Sequence, residues 1–76
     1  MYEILFSESA ERQLKALDPV IRKRVIHTLE RIRIRPEFYV KKLVGDPGYR
    51  LRVGDYRIIM DIDKNRLLIL VILEKA

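Results

Sequence analysis

The feature that most constrains the fold of this chain is the stretch from Tyr49 to Asp61, where apolar and polar residues alternate on both sides of Gly54-Asp55. A period of two is that of a β-strand, because successive side chains of a strand point to opposite faces of the sheet. A glycine-containing pair between two such runs is typical of a two-residue hairpin turn. The sequence therefore predicts an antiparallel β-hairpin. Its apolar positions are Tyr49, Leu51, Val53, Tyr56, Ile58 and Met60.

This turn fixes which residues of the two strands face each other. One face is apolar and is expected to form the core, whereas the other face carries Arg50, Arg52 and Arg57. Like charges directly opposite each other destabilise a sheet by a few tenths of a kcal/mol up to about 1 kcal/mol. The arrangement therefore implies compensation by an acidic side chain such as Asp61, by a partner or by a phosphate group. The expected pairs are Val53 with Tyr56, Arg52 with Arg57, Leu51 with Ile58, Arg50 with Ile59 and Tyr49 with Met60.

The neighbours of these arginines on the last strand follow from the same counting across a second turn at residues 63–66. It places Leu68, Leu70 and Ile72 beside them, so the sequence predicts a positively charged, half-apolar cradle. The alternative interpretation is that the arginine stems spread over their apolar neighbours while the guanidinium groups extend into water. We favour a functional cluster over this alternative.

The N-terminal half of the chain predicts a strand followed by two helices. Tyr2–Phe6 is a short β-prone run, Ser7 is a candidate N-cap, and Asp18-Pro19 supplies a second cap with proline at the first helical position. Apolar residues then recur at helical spacing. We therefore expect a helical hairpin that runs toward Pro36. Its apolar positions are Ala10, Leu14, Leu17, Ile21, Val25, Leu29 and Ile32.

Basic residues occupy the other faces of the second predicted helix. Such a face is usually a solvated surface, and we favour this interpretation over a dedicated RNA-binding helix. His27 lies on the same side, between Lys23 and Arg31, and we expect a surface histidine and not a catalytic one. The basic residues are Arg22, Lys23, Arg24, Arg31, Arg33 and Arg35.

The segment after Pro36 has no sustained period and ends in the turn-forming residues 45–48, which predicts a connecting loop. After the hairpin, Leu67–Leu73 is continuously apolar, as expected of a strand buried on both faces or nearly so. The predicted order is β-α-α-β-β-β, an α+β fold. Because the chain has no internal repeat and no linker, we expect one domain over residues 1–76.

Composition narrows the function further. The chain has no cysteine and one histidine, which excludes disulfides and cysteine nucleophiles, and we expect neither a metal site nor another cofactor. No signal peptide is visible and no apolar run approaches the roughly 20 residues of a membrane span, so we expect a cytoplasmic protein. The formal net charge of +5 favours a polyanion or an acidic protein as partner.

The segment Lys41–Ile59, with its string K-L-x-G-x-P-G-Y-R-x-R-x-G-x-Y-R-I, resembles the RelE/ParE superfamily of bacterial and archaeal toxins, and its RelE branch above all. The resemblance spans nearly the whole chain and implies a small RelE-like fold with both helices on one face of the sheet. It also implies a ribonuclease that enters the ribosomal A site, cuts mRNA and is silenced by a RelB-like antitoxin. On this basis the predicted catalytic residues are Arg50, Arg52 and Arg57, and the predicted RNA-binding residues are Lys41, Lys42 and the same three arginines.

The chemistry of RNA cleavage limits what an arginine cluster can contribute. Cleavage without a metal needs a base for the 2′-hydroxyl, stabilisation of the phosphorane and a proton for the leaving oxygen. Arginine supplies the stabilisation, because its guanidinium is planar, always cationic and bidentate toward phosphate. It is a poor proton donor, since a guanidinium keeps its proton throughout the pH range in which proteins are folded. The sequence therefore predicts charge stabilisation in the cluster and no obvious acid or base.

The C-terminal residues depart from the pattern of the RelE branch. Its members usually continue past the last strand with a Gly-[His/Lys]-Arg segment and a terminal Val-Tyr, whereas this sequence reads Val71 to Ala76. We therefore expect the catalytic arginine and tyrosine of that tail to be missing and do not expect Lys75 to replace them. Three functions remain open: an mRNA endonuclease, a weak or inactive homologue that only binds antitoxin or RNA, and a ParE-like gyrase inhibitor.

Overall fold

The order of elements along the chain agrees with the predicted one, with one short strand added. The computed structural model describes residues 1–46 and 48–74. Pro47 of the predicted turn, and Lys75 and Ala76, lie outside the described residues. The elements are β1 (Glu3–Phe6), α1 (Glu8–Ala16), α2 (Pro19–Ile32), a short 3₁₀ helix (Pro36–Phe38), β2 (Lys41–Lys42), β3 (Tyr49–Val53), β4 (Tyr56–Asp63) and β5 (Arg66–Glu74).

The strands of residues 1–46 and 48–74 form one sheet in the order β1-β5-β4-β3-β2. β1 lies parallel to β5, and all other neighbours are antiparallel. This parallel pair is possible because the two helices carry the chain across one face of the sheet before β3 begins. No helix among these residues is long and apolar enough to cross a membrane.

Both predicted helix caps are confirmed, and one of them also ties a helix to the sheet. The Ser7 hydroxyl accepts a hydrogen bond from the Ala10 amide at 3.0 Å and donates one to the Leu70 carbonyl of β5 at 2.7 Å. At the start of α2 the Asp18 carboxylate accepts from the Val20 amide at 3.0 Å, with Pro19 as the first helical residue. Each cap satisfies a backbone donor that the helix itself leaves without a partner.

The core lies between the helical hairpin and one face of the sheet, which confirms the predicted α+β fold with helices on one face. The predicted apolar stripe of α2 is buried at Val25, Leu29 and Ile32, while Ile21 is half-buried. On the sheet side, alternate residues of β3, β4 and β5 pack against these helices. The buried core residues are Ala10, Val25, Leu29, Ile32, Leu51, Val53, Ile58, Met60, Leu67, Ile69 and Ile72.

The register of the β3–β4 hairpin is the predicted one in all five pairs, from Val53 opposite Tyr56 to Tyr49 opposite Met60. Gly54 adopts φ 59° at the first position of the turn. Glycine takes up this left-handed conformation without the penalty that a Cβ atom imposes, which suits it to the first central position of a hairpin turn. The Gly-Asp pair thus sets the register as expected.

The register of the β4–β5 pair differs from the prediction. A β-bulge lets Ile59 pair with Val71 and Met60 with Ile69, so that β5 has one extra residue, Leu70. From Val71 onward each side chain of β5 therefore lies on the face opposite to the predicted one. Ile72 is buried in the core instead of lying beside the arginines. Val71 and Leu73 take its place on the other face. The predicted register was wrong here because it assumed regular pairing of β4 and β5 without a bulge.

Two further expectations need correction. Leu67–Leu73 is not buried on both faces: Leu67, Ile69 and Ile72 are buried in the core, but Leu70 and Leu73 are 40% and 47% exposed. The segment expected to be only a loop contains β2, which pairs with β3. A strand of two residues has no period that a sequence could display.

The position of the core predicts a large loss of stability for Leu29→Ala. Leu29 is fully buried, and truncating it would leave a cavity and lower the free energy of unfolding by about 2–5 kcal/mol. Urea denaturation followed by circular dichroism measures the change. The matched control is Leu73→Ala, which removes the same atoms from a half-exposed position and is expected to lose clearly less. Equal losses from the two variants would contradict this core.

Candidate functional site

The three arginines of the hairpin lie on the sheet face that the helices leave open. Arg52 of β3 is directly opposite Arg57 of β4, and Arg50 is opposite Ile59. All three arginine side chains are exposed. They border a groove of about 390 Å³, called here the arginine groove. Its lining residues are Tyr39, Lys41, Arg50, Leu51, Arg52 and Arg57.

The two predicted RNA-binding lysines lie on opposite sides of the sheet. Lys41 pairs with Arg50 across β2 and β3, so it shares the face of the arginines and lines the arginine groove. Lys42 pairs with Tyr49 and therefore points to the other face. The structure thus brings Lys41 together with the three arginines and separates Lys42 from them.

Among the residues that the structure describes, no carboxylate forms an ion pair with a cation of the groove. Among residues 1–46 and 48–74 the only ion pair joins Lys15 and Glu11 on α1, at 3.2 Å. Asp61, considered above as a compensating charge, accepts a hydrogen bond from the Ile62 amide at 2.9 Å. Arg52 donates from Nε to the Gly54 carbonyl at 3.2 Å, which holds its guanidinium close to the turn. The like-charge repulsion between Arg52 and Arg57 therefore remains available to be relieved by a bound anion.

Tyr39 is a groove residue that sequence reasoning left unplaced. It follows the 3₁₀ helix, and its side chain is 50% exposed at the groove. Beside it, Phe38 is 70% exposed and lies 5.8 Å from the Arg35 guanidinium, measured to the ring centroid. Two adjacent aromatic residues in a segment without period were the available signal. An exposed phenol beside cationic groups can stack on a base, donate a hydrogen bond or exchange a proton.

The open face is apolar beside the groove, where β5 and β1 continue the sheet. Leu68 and Val71 of β5 are half-buried, whereas Leu73 of β5 and Leu5 of β1 are exposed. This row, called here the apolar strip, runs alongside the arginines because β5 lies next to β4. The groove and the strip together form an amphipathic surface that can receive an anion on one half and apolar side chains on the other.

Comparison with known proteins places the chain in a family. Residues 4–76 match the family model described as the ParE toxin of the type II toxin-antitoxin system, parDE. The chain belongs to this toxin family. It is thereby a member of the RelE/ParE superfamily of toxins of type II toxin-antitoxin systems, which confirms the resemblance seen in the sequence. No curated protein sequence matches the chain.

Solved toxin structures share its fold. The RelBE2 toxin-antitoxin complex from Mycobacterium tuberculosis matches with 27% identity and a TM-score of 0.83, over 97% of this chain and 98% of that one. The RelB-RelE complex from Methanococcus jannaschii matches with 27% identity and a TM-score of 0.75, over 92% of this chain and 88% of that one. The isolated Escherichia coli RelE toxin, at 20% identity, has a TM-score of 0.85 over 100% of this chain and 86% of its own, which shows the shared fold.

The opposed arginines of this RelE/ParE toxin predict a stabilising substitution. Arg57→Gln removes the repulsion with Arg52 and is expected to raise the free energy of unfolding by a few tenths of a kcal/mol up to about 1 kcal/mol at low salt. The gain should shrink in about 1 M salt, where the Debye length is about 3 Å. Urea denaturation at both salt concentrations measures it.

The control for this prediction is Arg12→Gln on α1, which removes the same charge at an exposed position outside the groove. It is expected to change stability by no more than about 0.5 kcal/mol. A loss of stability in Arg57→Gln at low salt would instead show that packing of the arginine stem over apolar neighbours outweighs the repulsion.

Proposed function

We propose that this toxin cleaves ribosome-bound mRNA and that the arginine groove holds the scissile phosphate. The observation that carries the proposal is the direct opposition of Arg52 and Arg57, with Arg50 and Lys41 in the same groove. Four cations that face one groove, with no ion-paired carboxylate among the described residues, are unfavourable unless an anion binds there. A phosphodiester satisfies several guanidinium groups at once through bidentate hydrogen bonds.

The proposed roles follow from the charge that develops during cleavage. The 2′-hydroxyl gives its proton to solvent water, and attack of the 2′ oxygen on phosphorus then forms a phosphorane with additional negative charge, which the three arginines stabilise. The 5′ oxygen leaves as the P–O bond breaks and must receive a proton. Tyr39 and Lys41 are the groove-lining side chains that can exchange one, and we assign the transfer to the Tyr39 hydroxyl.

The amphipathic open face supports an antitoxin as the partner. The RelBE2 and RelB-RelE structures similar to this chain are complexes of a toxin with its antitoxin. In this toxin, acidic side chains of a RelB-like segment would meet the arginine groove, and apolar side chains would cover Leu5, Leu73 and the rest of the apolar strip. Binding there blocks access of RNA to the groove. Both mRNA and ribosomes are cytoplasmic, and the cytoplasm is the proposed location.

A gyrase inhibitor is the second candidate function, because the matching family model is named for the ParE toxin. The fold does not decide between the two, since one fold supports different activities. The opposed arginines favour RNA cleavage. Inhibition of DNA supercoiling by purified gyrase, without cleavage of mRNA, would favour the second candidate.

The first prediction from this proposed function concerns Arg52 and Arg57. Purified protein is expected to arrest cell-free translation and to produce discrete cuts in ribosome-bound mRNA, mapped by primer extension. Arg52→Ala and Arg57→Ala should each lower the cleavage rate by about 10²–10³, as for the loss of one group that stabilises a developing charge. Arg12→Ala is the matched control and should cleave as the unmodified protein does. Intact mRNA at saturating unmodified protein would contradict the proposal and leave a toxin homologue that only binds.

The second prediction separates the two uses of Tyr39. Tyr39→Phe keeps the ring and removes the hydroxyl, so it is expected to lower the cleavage rate by about 10²–10⁴ while leaving RNA affinity unchanged. Tyr39→Ala should lose affinity as well, by about 1–3 kcal/mol if a base stacks on the ring. Cleavage by Tyr39→Phe at the unmodified rate would show that the hydroxyl transfers no proton.

A further inference from the structure

A second groove lies between α2 and the β3–β4 turn. Its volume is about 610 Å³, and Arg52 borders both this groove and the arginine groove. We call it the helix groove. Its lining residues are Arg24, His27, Thr28, Arg31, Arg52, Val53 and Gly54.

One wall of the helix groove is a face of α2, and the other includes Gly54, which leaves room for Arg24 because it has no side chain. Arg24, His27 and Arg31 are three and four residues apart, which brings them onto the same side of the helix. A Cβ atom at Gly54 would lie 3.2 Å from Nη1 of Arg24, so the guanidinium rests against bare backbone of the turn. The Thr28 hydroxyl donates a hydrogen bond to the Arg24 carbonyl at 2.7 Å, so this hydroxyl is paired within the helix.

The lining of this groove suits a polyanion better than a protein segment. Three guanidinium groups and an imidazole border it, and none has an ion-paired carboxylate among residues 1–46 and 48–74. Val53, the one apolar side chain of the lining, is only 4% exposed. A protein segment usually also needs an apolar or aromatic anchor seated in a pocket, which the buried Val53 does not offer, whereas guanidinium groups bind phosphate directly. The chemistry of the groove is therefore that of a phosphate site.

We infer that the helix groove binds phosphates of the same RNA strand that occupies the arginine groove. The strand crosses at Arg52, passing from the open face of the sheet around the hairpin turn onto α2. This inference rests on the proposed function in that it takes RNA as the ligand. It assigns a role to the basic face of α2, for which the sequence alone favours a solvated surface over an RNA-binding helix.

The test measures how RNA affinity depends on salt. The probe is a fluorescent oligouridylate with 2′-O-methyl groups, which cannot be cleaved because it lacks the nucleophile. Binding is followed by fluorescence anisotropy over a range of salt concentrations. Each phosphate contact on a single strand contributes about 0.7 to the slope of log K against log salt. Arg24→Gln with Arg31→Gln is therefore expected to reduce the slope by about 1.4, and Arg31→Gln alone by about 0.7.

The matched control is Arg12→Gln with Arg66→Gln, which removes the same charge from two exposed positions outside both grooves. Its slope should stay at the unmodified value. Arg31→Gln keeps the test informative if Arg24→Gln disturbs the turn, because Arg24 is the residue that rests against Gly54. Thermal unfolding of each variant checks the fold.

The outcomes separate this inference from the proposed function. Equal slopes for the α2 variants and the control would overturn the inference and leave the arginine groove as an RNA site. Absence of any RNA binding by the unmodified protein would overturn the inference, whereas the proposed function is decided separately by the cleavage of ribosome-bound mRNA. A polyglutamate probe provides the last comparison: if the α2 variants weaken polyglutamate binding but leave the RNA slope unchanged, the groove receives an acidic protein, and the inference is wrong.

Discussion

The register of the β3–β4 hairpin decides which side chains of the central strands are buried and which are exposed. Because side chains alternate along a strand, a slip of one residue would move Arg50 and Arg52 into the core and Leu51 and Val53 to the open face. Burying unpaired guanidinium groups is far more costly than leaving them opposed at the surface. The apolar face therefore fixes the register, and the register in turn forces Arg52 against Arg57. The arginine cluster therefore follows from the burial of the apolar residues of the hairpin, whatever function the cluster has.

In the neighbouring strand β5 the sequence does not select the buried face, and the β-bulge at Leu70 selects it instead. Leu67–Leu73 is apolar throughout, so either face of β5 could have been buried, and the bulge decides that Ile72 joins the core while Val71 and Leu73 remain outside. An apolar strip on a surface is a liability unless a partner covers it. Beside a row of arginines it gives the open face two kinds of contact that one amphipathic partner can satisfy together.

These two strands show what could be predicted from the sequence and why. The β3–β4 pairs and the caps at Ser7 and Asp18 were predictable, because alternation, a glycine turn and capping residues are local signals. The bulge was not predictable, since the continuously apolar run Leu67–Leu73 has no polar residues that would indicate which face is exposed. The strand of Lys41 and Lys42 was too short to show a period, so the sequence could not tell that the two lysines point apart. Tyr39 reaches the groove only through the path of its loop.

Gly54 links the hairpin to both grooves. Its left-handed backbone makes the turn, its carbonyl accepts the hydrogen bond from Arg52, and its lack of a side chain admits Arg24. A residue with a Cβ atom there would strain the turn and displace Arg24 at the same time. The arginine cluster on the sheet and the basic face of α2 therefore share one structural support. Because Arg52 is held at this junction and borders both grooves, the proposed RNA strand would pass from one groove into the other at this residue. A bound phosphate relieves the repulsion between Arg52 and Arg57, and the guanidinium groups that continue from Arg52 to Arg24 suit a longer anion such as a polynucleotide.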